Sequence, residues 1–284
     1  MNDFTNLGLP IDQNIMFSDH EGKYKQGIEN RKVKLIKKIS FIKPFLKSDE
    51  KIVMATEGCS PFSVLEQLMT GWYIYTMKRS LLIFTNKRIF HVPIRMNGSY
   101  RYSIAQISYA DCQKIEMKRG ALSLEYRNGK KERFSNVGFR DRKKIEVLMG
   151  SSSFTGEPTN TRGRVHLCPR CTNELVAGKY TCPTCHLAFK DKKEAKKISI
   201  IYPGGGYFYT NHLFLGISDA ITEAIFTLLI IMALVGIFTR EEGSIAMLIF
   251  FSFFLFIEKM VTVYHSNHFI DEYIPREKTI TTAV

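Results

Sequence analysis

Two apolar stretches in the last third of the chain constrain it most. Residues 220–238 hold nineteen positions whose only charge is Glu223, and residues 244–264 hold twenty-one more, broken only by Glu258 and Lys259. At 1.5 Å per residue nineteen residues reach roughly 28 Å, close to the thickness of a bilayer's hydrocarbon core. Five residues, Thr239-Arg240-Glu241-Glu242-Gly243, join the two. A short polar connection between two such segments predicts a transmembrane helical hairpin. Met1-Asn2-Asp3-Phe4 opens no basic stretch followed by an apolar core, so insertion is expected from these internal segments.

In an antiparallel pair, residues equally far from the turn lie at similar depth. With Glu241 as the turn centre, Glu223 and Lys259 are equidistant from it, and this predicts an intramembrane Glu223–Lys259 pair. The lysine-rich run 190–197, with Arg276 and Lys278, flanks the hairpin on one side, whereas the connecting loop carries one Arg and two Glu. The positive-inside rule then places both termini in the cytoplasm, as an integral protein of the cytoplasmic membrane.

The rest of the chain is basic. Residues 198–284 hold four Lys/Arg against eight Asp/Glu, which leaves 36 against 19, or +17, on residues 1–197 of a chain whose net charge is +13. Such a block suits an anionic partner, either membrane lipid headgroups or nucleic acid. Residues 1–46 include a lysine-rich stretch in which Ile28, Leu35, Ile36 and Ile39 recur at helical spacing before Pro44. They read as a basic amphipathic helix, for lipid or for the neighbouring domain.

Residues 47–150 read as a small β-rich domain closed by a helix. Strands are expected at 51–56, 71–76, 81–85, 88–92, 100–104, 113–117 and 122–126. Asn128-Gly129 is expected to supply two positive-φ positions of a tight hairpin leading to 131–134. In the terminal helix, 140–149, Ile145, Leu148 and Met149 share a face. The run Leu81-Leu82-Ile83-Phe84-Thr85-Asn86-Lys87-Arg88-Ile89-Phe90, downstream of Asp49-Glu50-Lys51-Ile52, resembles bacterial PH-like domains of the GRAM and bPH kind. That resemblance implies a partly opened β-barrel with a capping helix, used for lipid or protein docking. Lys78, Arg79, Lys87 and Arg88 are its candidate lipid- or anion-binding residues.

Residues 151–165, poor in apolar side chains and rich in Gly, Ser, Thr and Pro, are expected to be a linker. In 166–189, Cys168-Pro-Arg-Cys171 and Cys182-Pro-Thr-Cys185 are two CxxC knuckles ten residues apart. A two-residue gap lets both thiolates of a knuckle reach one ion, and two knuckles complete a tetrahedral four-sulfur shell. Structural Zn2+ is the expected cofactor, because four cysteines leave no open position for catalysis. Arg170, Lys179 and the turn amides are expected to offset the charge, His186 to stand by, and Tyr180 and Phe189 to form a miniature core. The segment resembles a zinc ribbon. Crowded cysteines also speak against a secreted disulfide framework.

Residues 190–284 complete the membrane domain. Residues 198–209 are apolar but broken by Pro203 and three glycines, which predicts an interfacial bend with Tyr202, Tyr207 and Tyr209 at headgroup level. With Leu215-Gly216 following, the segment is similar to the PGxGxxY-type entry of small TM2-like membrane domains. Had 198–214 spanned, the C-terminus would be outside. His265 and His268, one turn before Asp271 and Glu272, are read as interfacial polar groups rather than a metal site.

The fold class expected is thus α+β and multidomain: a PH-like β-barrel with capping helix, a zinc ribbon and a C-terminal transmembrane hairpin. No GxSxG, HExxH, P-loop or kinase pattern occurs, so no enzyme is expected. The function expected is a membrane-anchored adaptor docking on anionic lipid or a protein partner. The alternatives are a membrane-tethered nucleic-acid-binding protein and an oligomeric transporter or channel component that uses Glu223 and Glu258.

Overall fold

The computed structural model describes residues 8–150 and 163–277, in two compact units divided between Leu187 and Ala188. The first unit is built on a five-stranded antiparallel sheet ordered β1 (Ile52–Cys59), β2 (Arg79–Thr85), β3 (Arg88–Pro93), β4 (Ile104–Ser108), β8 (Val165–Leu167). A second sheet holds β5 (Cys112–Lys118), β6 (Ala121–Tyr126) and β7 (Lys131–Phe134). The helices are α1 (Gln13–Met16), α2 (Gln26–Lys38), α3 (Val64–Thr70), α4 (Ile74–Met77) and α5 (Arg142–Gly150).

The strands of the larger sheet are apolar runs rather than alternating ones because both faces are covered. Along β2, Leu81 and Ile83 join a core with Ile36, Ile39, Ile42 and Phe45, whereas Leu82 and Phe84 join a second core with Leu122, Leu124, Phe134 and Ile145. In β1 the parity slips: Ile52 and Ala55, three residues apart, share the first core, and a bulge between Ile52 and Met54 supplies the extra residue that allows it.

Several sequence expectations are narrowed or corrected here. Of the two roles open to the basic amphipathic helix, α2 takes the one against the neighbouring domain: Ile36, with Ile39 and Ile42 in the turn that follows, is fully buried on the sheet, leaving Arg31, Lys34, Lys37 and Lys38 outside. Residues 71–76 are helical, not a strand, because Ser63 and Glu66 form a capping box that starts α3 and the chain winds on through 71–77. The strand expected at 100–104 begins only at Ile104. In the β6–β7 turn only Gly129 takes positive φ, at 81°. Gly129 N–H donates to Tyr126 O and Tyr126 N–H to Lys130 O, a three-residue loop with a bulge instead of a two-residue turn.

The sheets do not close into a barrel. Among the described residues one isolated bridge, between Cys59 and Ser135, links them. Most of the expected linker lies outside the described residues, but its end, Val165, already belongs to β8, which pairs with β4. The four-cysteine segment is therefore sewn to the sheet through β8 rather than hung from it.

The second unit contains α6 (Lys192–Ile201), α7 (Gly205–Tyr209), α8 (Leu213–Phe238) and α9 (Ser244–Ile270). At 26 and 27 residues, α8 and α9 are long and apolar enough to cross a membrane. No other described helix is. Gly204, at φ +65°, turns the chain against the Gly216 carbonyl, so the bend expected around Pro203 is a tight helix–turn–helix. Lys190 N–H donates to Ile274 O, and Arg276 reaches Asp191 and Glu194 at 2.6 Å each. These bonds tie the start of α6 to the segment after α9. Phe189 belongs here, edge-on to Tyr273, and not to a ribbon core.

Candidate metal centre and charged sites

The two knuckles fold alike, fourteen residues apart. Cys168 N–H donates to Asn173 O and Thr172 N–H to Cys168 O; Cys182 N–H donates to Leu187 O and His186 N–H to Cys182 O. Thr172 and His186, each following the second cysteine of its knuckle, both sit at positive φ, 63° and 55°. Burial favours the thiol at both Cys168 and Cys182; against it, the amides of Arg170 and Cys171 donate to Cys168 Sγ and those of Thr184 and Cys185 to Cys182 Sγ, and only at Cys182 does the balance fall below the usual value.

This scaffold brings all four sulfurs within 4.8 Å of one another, with Cys168–Cys185 at 3.5 Å and Cys171–Cys182 at 3.6 Å. A disulfide needs about 2.05 Å. Sulfurs at the corners of a tetrahedron with bonds of about 2.3 Å stand about 3.8 Å apart, so the donor set fits one metal ion. His186 is not part of the cluster, and among the described residues this is the one group of that kind.

The other two cysteines are poor nucleophiles. Burial pushes the Cys59 thiol up to about 11 and the Cys112 thiol up to about 12. A buried Ser60–His91 contact, 2.8 Å from Oγ to Nε2, has the look of a catalytic pair. Arg164 removes that reading: its guanidinium donates to His91 Nδ1 at 2.8 Å, so the ring proton lies on Nε2 and is given to Ser60. The imidazole cannot accept the serine's proton.

The four candidate anion contacts each meet a carboxylate within the unit. Lys78 is buried 3.4 Å from Glu66, Arg79 is 2.8 Å from Glu57, and Lys87 is 2.5 Å from Asp49. Arg88 clasps Glu50 with two bonds, of 2.9 and 2.7 Å, and reaches the Phe45 carbonyl at 2.8 Å. Glu50 also accepts from Thr85 Oγ1; burial alone would raise its pKa, but Arg88 outweighs it and holds the carboxyl below its usual value. These cations hold strand ends together and are not laid out as an open anion pocket. Arg164, missed at the sequence level, does similar work 3.0 Å from Glu132. Its position at the end of a breaker-rich run gave no signal.

No family model, curated protein or solved structure matches this chain. Function must therefore be argued from the sites alone.

In the second unit Glu223 is 2.6 Å from Lys259. The ammonium also donates to Ser199 O at 2.9 Å and Tyr202 O at 3.4 Å. Asp219, one turn before Glu223, accepts twice from Thr262 Oγ1, at 3.1 and 2.9 Å, and lies within hydrogen-bonding reach of Glu258. The sequence reading began the apolar segment at residue 220 and so left Asp219 out, although its i, i+4 relation to Glu223 was visible. Tyr207 and His265 are hydrogen-bonded at 2.7 Å, and Asp271 pairs with Lys192 at 2.6 Å, so the histidines and acids near the end of α9 form no metal cluster.

Proposed function

We propose that the chain is a membrane-anchored, non-enzymatic adaptor: α8 and α9 span the cytoplasmic membrane as a hairpin, both ends face the cytoplasm, and the basic first unit docks on anionic lipid. The observation that carries this reading is the reversed polarity of the second unit. Glu223, Ser199, Thr262, His265 and Ser266 are buried inside it, while Ile221, Leu228, Phe238, Ile249 and Phe253 point outward. Water would penalise that arrangement at every exposed side chain; hydrocarbon reverses the sign.

The first unit is of the PH-like kind in this reading. Supporting it are the Leu81–Phe90 run, which forms a hairpin of β2 and β3, and a C-terminal helix that covers one core through Ile145. The metal in this reading is zinc, held by Cys168, Cys171, Cys182 and Cys185: a filled-shell ion with no geometric preference of its own takes the tetrahedral four-thiolate set the fold presents.

The full chain in nanodiscs of zwitterionic lipid tests the docking. Capture of vesicles containing anionic lipid, without capture of RNA or DNA at physiological salt, is the expected result. The opposite preference contradicts it and favours the membrane-tethered nucleic-acid-binding reading.

A further inference from the structure

Helix α3 is amphipathic inside out. Its one charged residue, Glu66, is 0% exposed and faces Lys78, itself buried, whereas Val64, Leu65, Leu68 and Met69 face solvent, Leu68 at 77%. At 100° per residue these four cover an arc of about 140°, the width of a core-facing stripe turned outward. Trp72, in the turn that follows, is 79% exposed. The β3–β4 connection extends the crest: Met96 is exposed, and Tyr73 Oη donates to its sulfur at 3.5 Å.

The fold goes to some length to keep this orientation. Ser63 Oγ accepts from Glu66 N–H at 3.1 Å and Ser63 N–H donates to Glu66 Oε2 at 2.8 Å, so the same carboxylate caps the helix and meets Lys78. Turning Val64 and Leu68 inward would carry Glu66 out and leave Lys78 buried without its carboxylate.

The rim of the crest is basic. Arg79 donates to Met96 O at 2.9 Å, with Glu57 on its other side, and Arg95 is exposed beside Met96. Glu66 is the sole acid in residues 62–77, and residues 94–101 contain none. An apolar, tryptophan-bearing crest with arginines at its edge matches the boundary of an anionic bilayer. There indole settles at headgroup level, leucine and methionine reach the acyl chains, and cations meet phosphate.

We propose that Val64, Leu65, Leu68, Met69 and Trp72 insert into the interface of the bilayer that holds the chain, with Arg95 against anionic headgroups. This rests on the reading of α8 and α9 as a membrane anchor, which converts a weak insertion into an intramolecular event at high effective concentration. The wedge, rather than Lys78, Arg79, Lys87 or Arg88, is then the lipid-contacting element of the first unit.

Trp72 is the only tryptophan in the chain, so its fluorescence reads this one site. The full chain is placed in vesicles of mixed zwitterionic and anionic lipid. The expected result is blue-shifted emission that lipids brominated on their acyl chains quench and aqueous iodide does not. Leu68→Asp, at a position open to solvent, restores a red-shifted, iodide-quenched emission without changing the circular dichroism or metal content. Emission from wild-type Trp72 that stays open to iodide and blind to brominated lipid overturns the proposal. So does a blue shift that follows protein density instead of lipid, which marks self-association. Flotation after an alkaline wash separates the two layers of the argument. A chain that stays with the lipid while Trp72 remains aqueous sinks the wedge and leaves the anchor standing; a chain stripped from the lipid sinks the anchor itself.

Discussion

The Glu223 carboxylate lies 2.6 Å from the Lys259 ammonium, and through that contact α8, α9 and the end of α6 are joined at one point. Ser199 O, in the last turn of α6, and Tyr202 O, on the residue that follows it, also accept from Lys259 at the negative end of the helix dipole. One lysine therefore neutralises a buried acid and caps a helix.

Breaking this contact from one side leaves a charge stranded. Glu223→Leu or Lys259→Met is expected to destabilise the second unit by about 3–5 kcal/mol, and the two replacements together by much less. Thermal unfolding of the four proteins in one detergent measures the coupling. Additive losses contradict it.

The metal site predicts one tightly bound zinc per chain by mass spectrometry under non-denaturing conditions. Removal by a chelator, or Cys182→Ser, is expected to unfold residues 165–187 and release β8 from β4, read as new hydrogen exchange at Ile104–Ser108. Thr172→Gly and His186→Gly should keep the metal and each stabilise the site by about 1 kcal/mol, since both side chains occupy left-handed backbone.

Lys144 gives a pH signature. It donates to the Ile15, Met16 and Ser18 carbonyls, and burial, then the charge of Lys32, bring its pKa down to about 8 from 10.5. The unfolded chain then binds more protons than the folded one between these values, so this group's contribution to stability rises as pH increases from about 8 to 10.5. The difference in unfolding free energy between wild type and Lys144→Met should change across that window and be flat between pH 6 and 7. A flat difference throughout contradicts the assignment.

What the sequence made legible follows the range of the signal. Two CxxC pairs and a short polar turn between apolar runs state their geometry within a few residues, and the Glu223–Lys259 contact needed only antiparallel counting. β8 escaped because Val165-His166-Leu167 is too short to show a period, and it is a strand only because β4 lies beside it. α3 escaped for a different reason. Its capping signal, Ser63-x-x-Glu66, is present, but the apolar residues after it face outward, so no buried periodicity marks them as a helix. For the candidate contacts Lys78, Arg79, Lys87 and Arg88, local sequence does not show that Glu66, Glu57, Asp49 and Glu50, 12 to 38 residues away, meet each of them.

Packing where α6, α7 and α9 meet is close. A Cβ on Gly206 would come within 2.8 Å of Ser266 Oγ and 3.0 Å of Thr262 Cγ2, besides striking Ser199 Oγ. Gly206→Ala is expected to cost about 1–3 kcal/mol of second-unit stability in detergent. An unchanged melting temperature would mean that these helices separate more freely than their packing implies.

The account turns on residues 239–243 lying on the far side of a membrane from the first unit. Glu241→Cys and Lys34→Cys, introduced separately into the full chain and exposed to a membrane-impermeant maleimide in intact cells, test this directly. The account predicts that the loop cysteine is labelled at once and the Lys34 position only after lysis. Labelling of both before lysis, or of the loop only after it, contradicts the spanning hairpin.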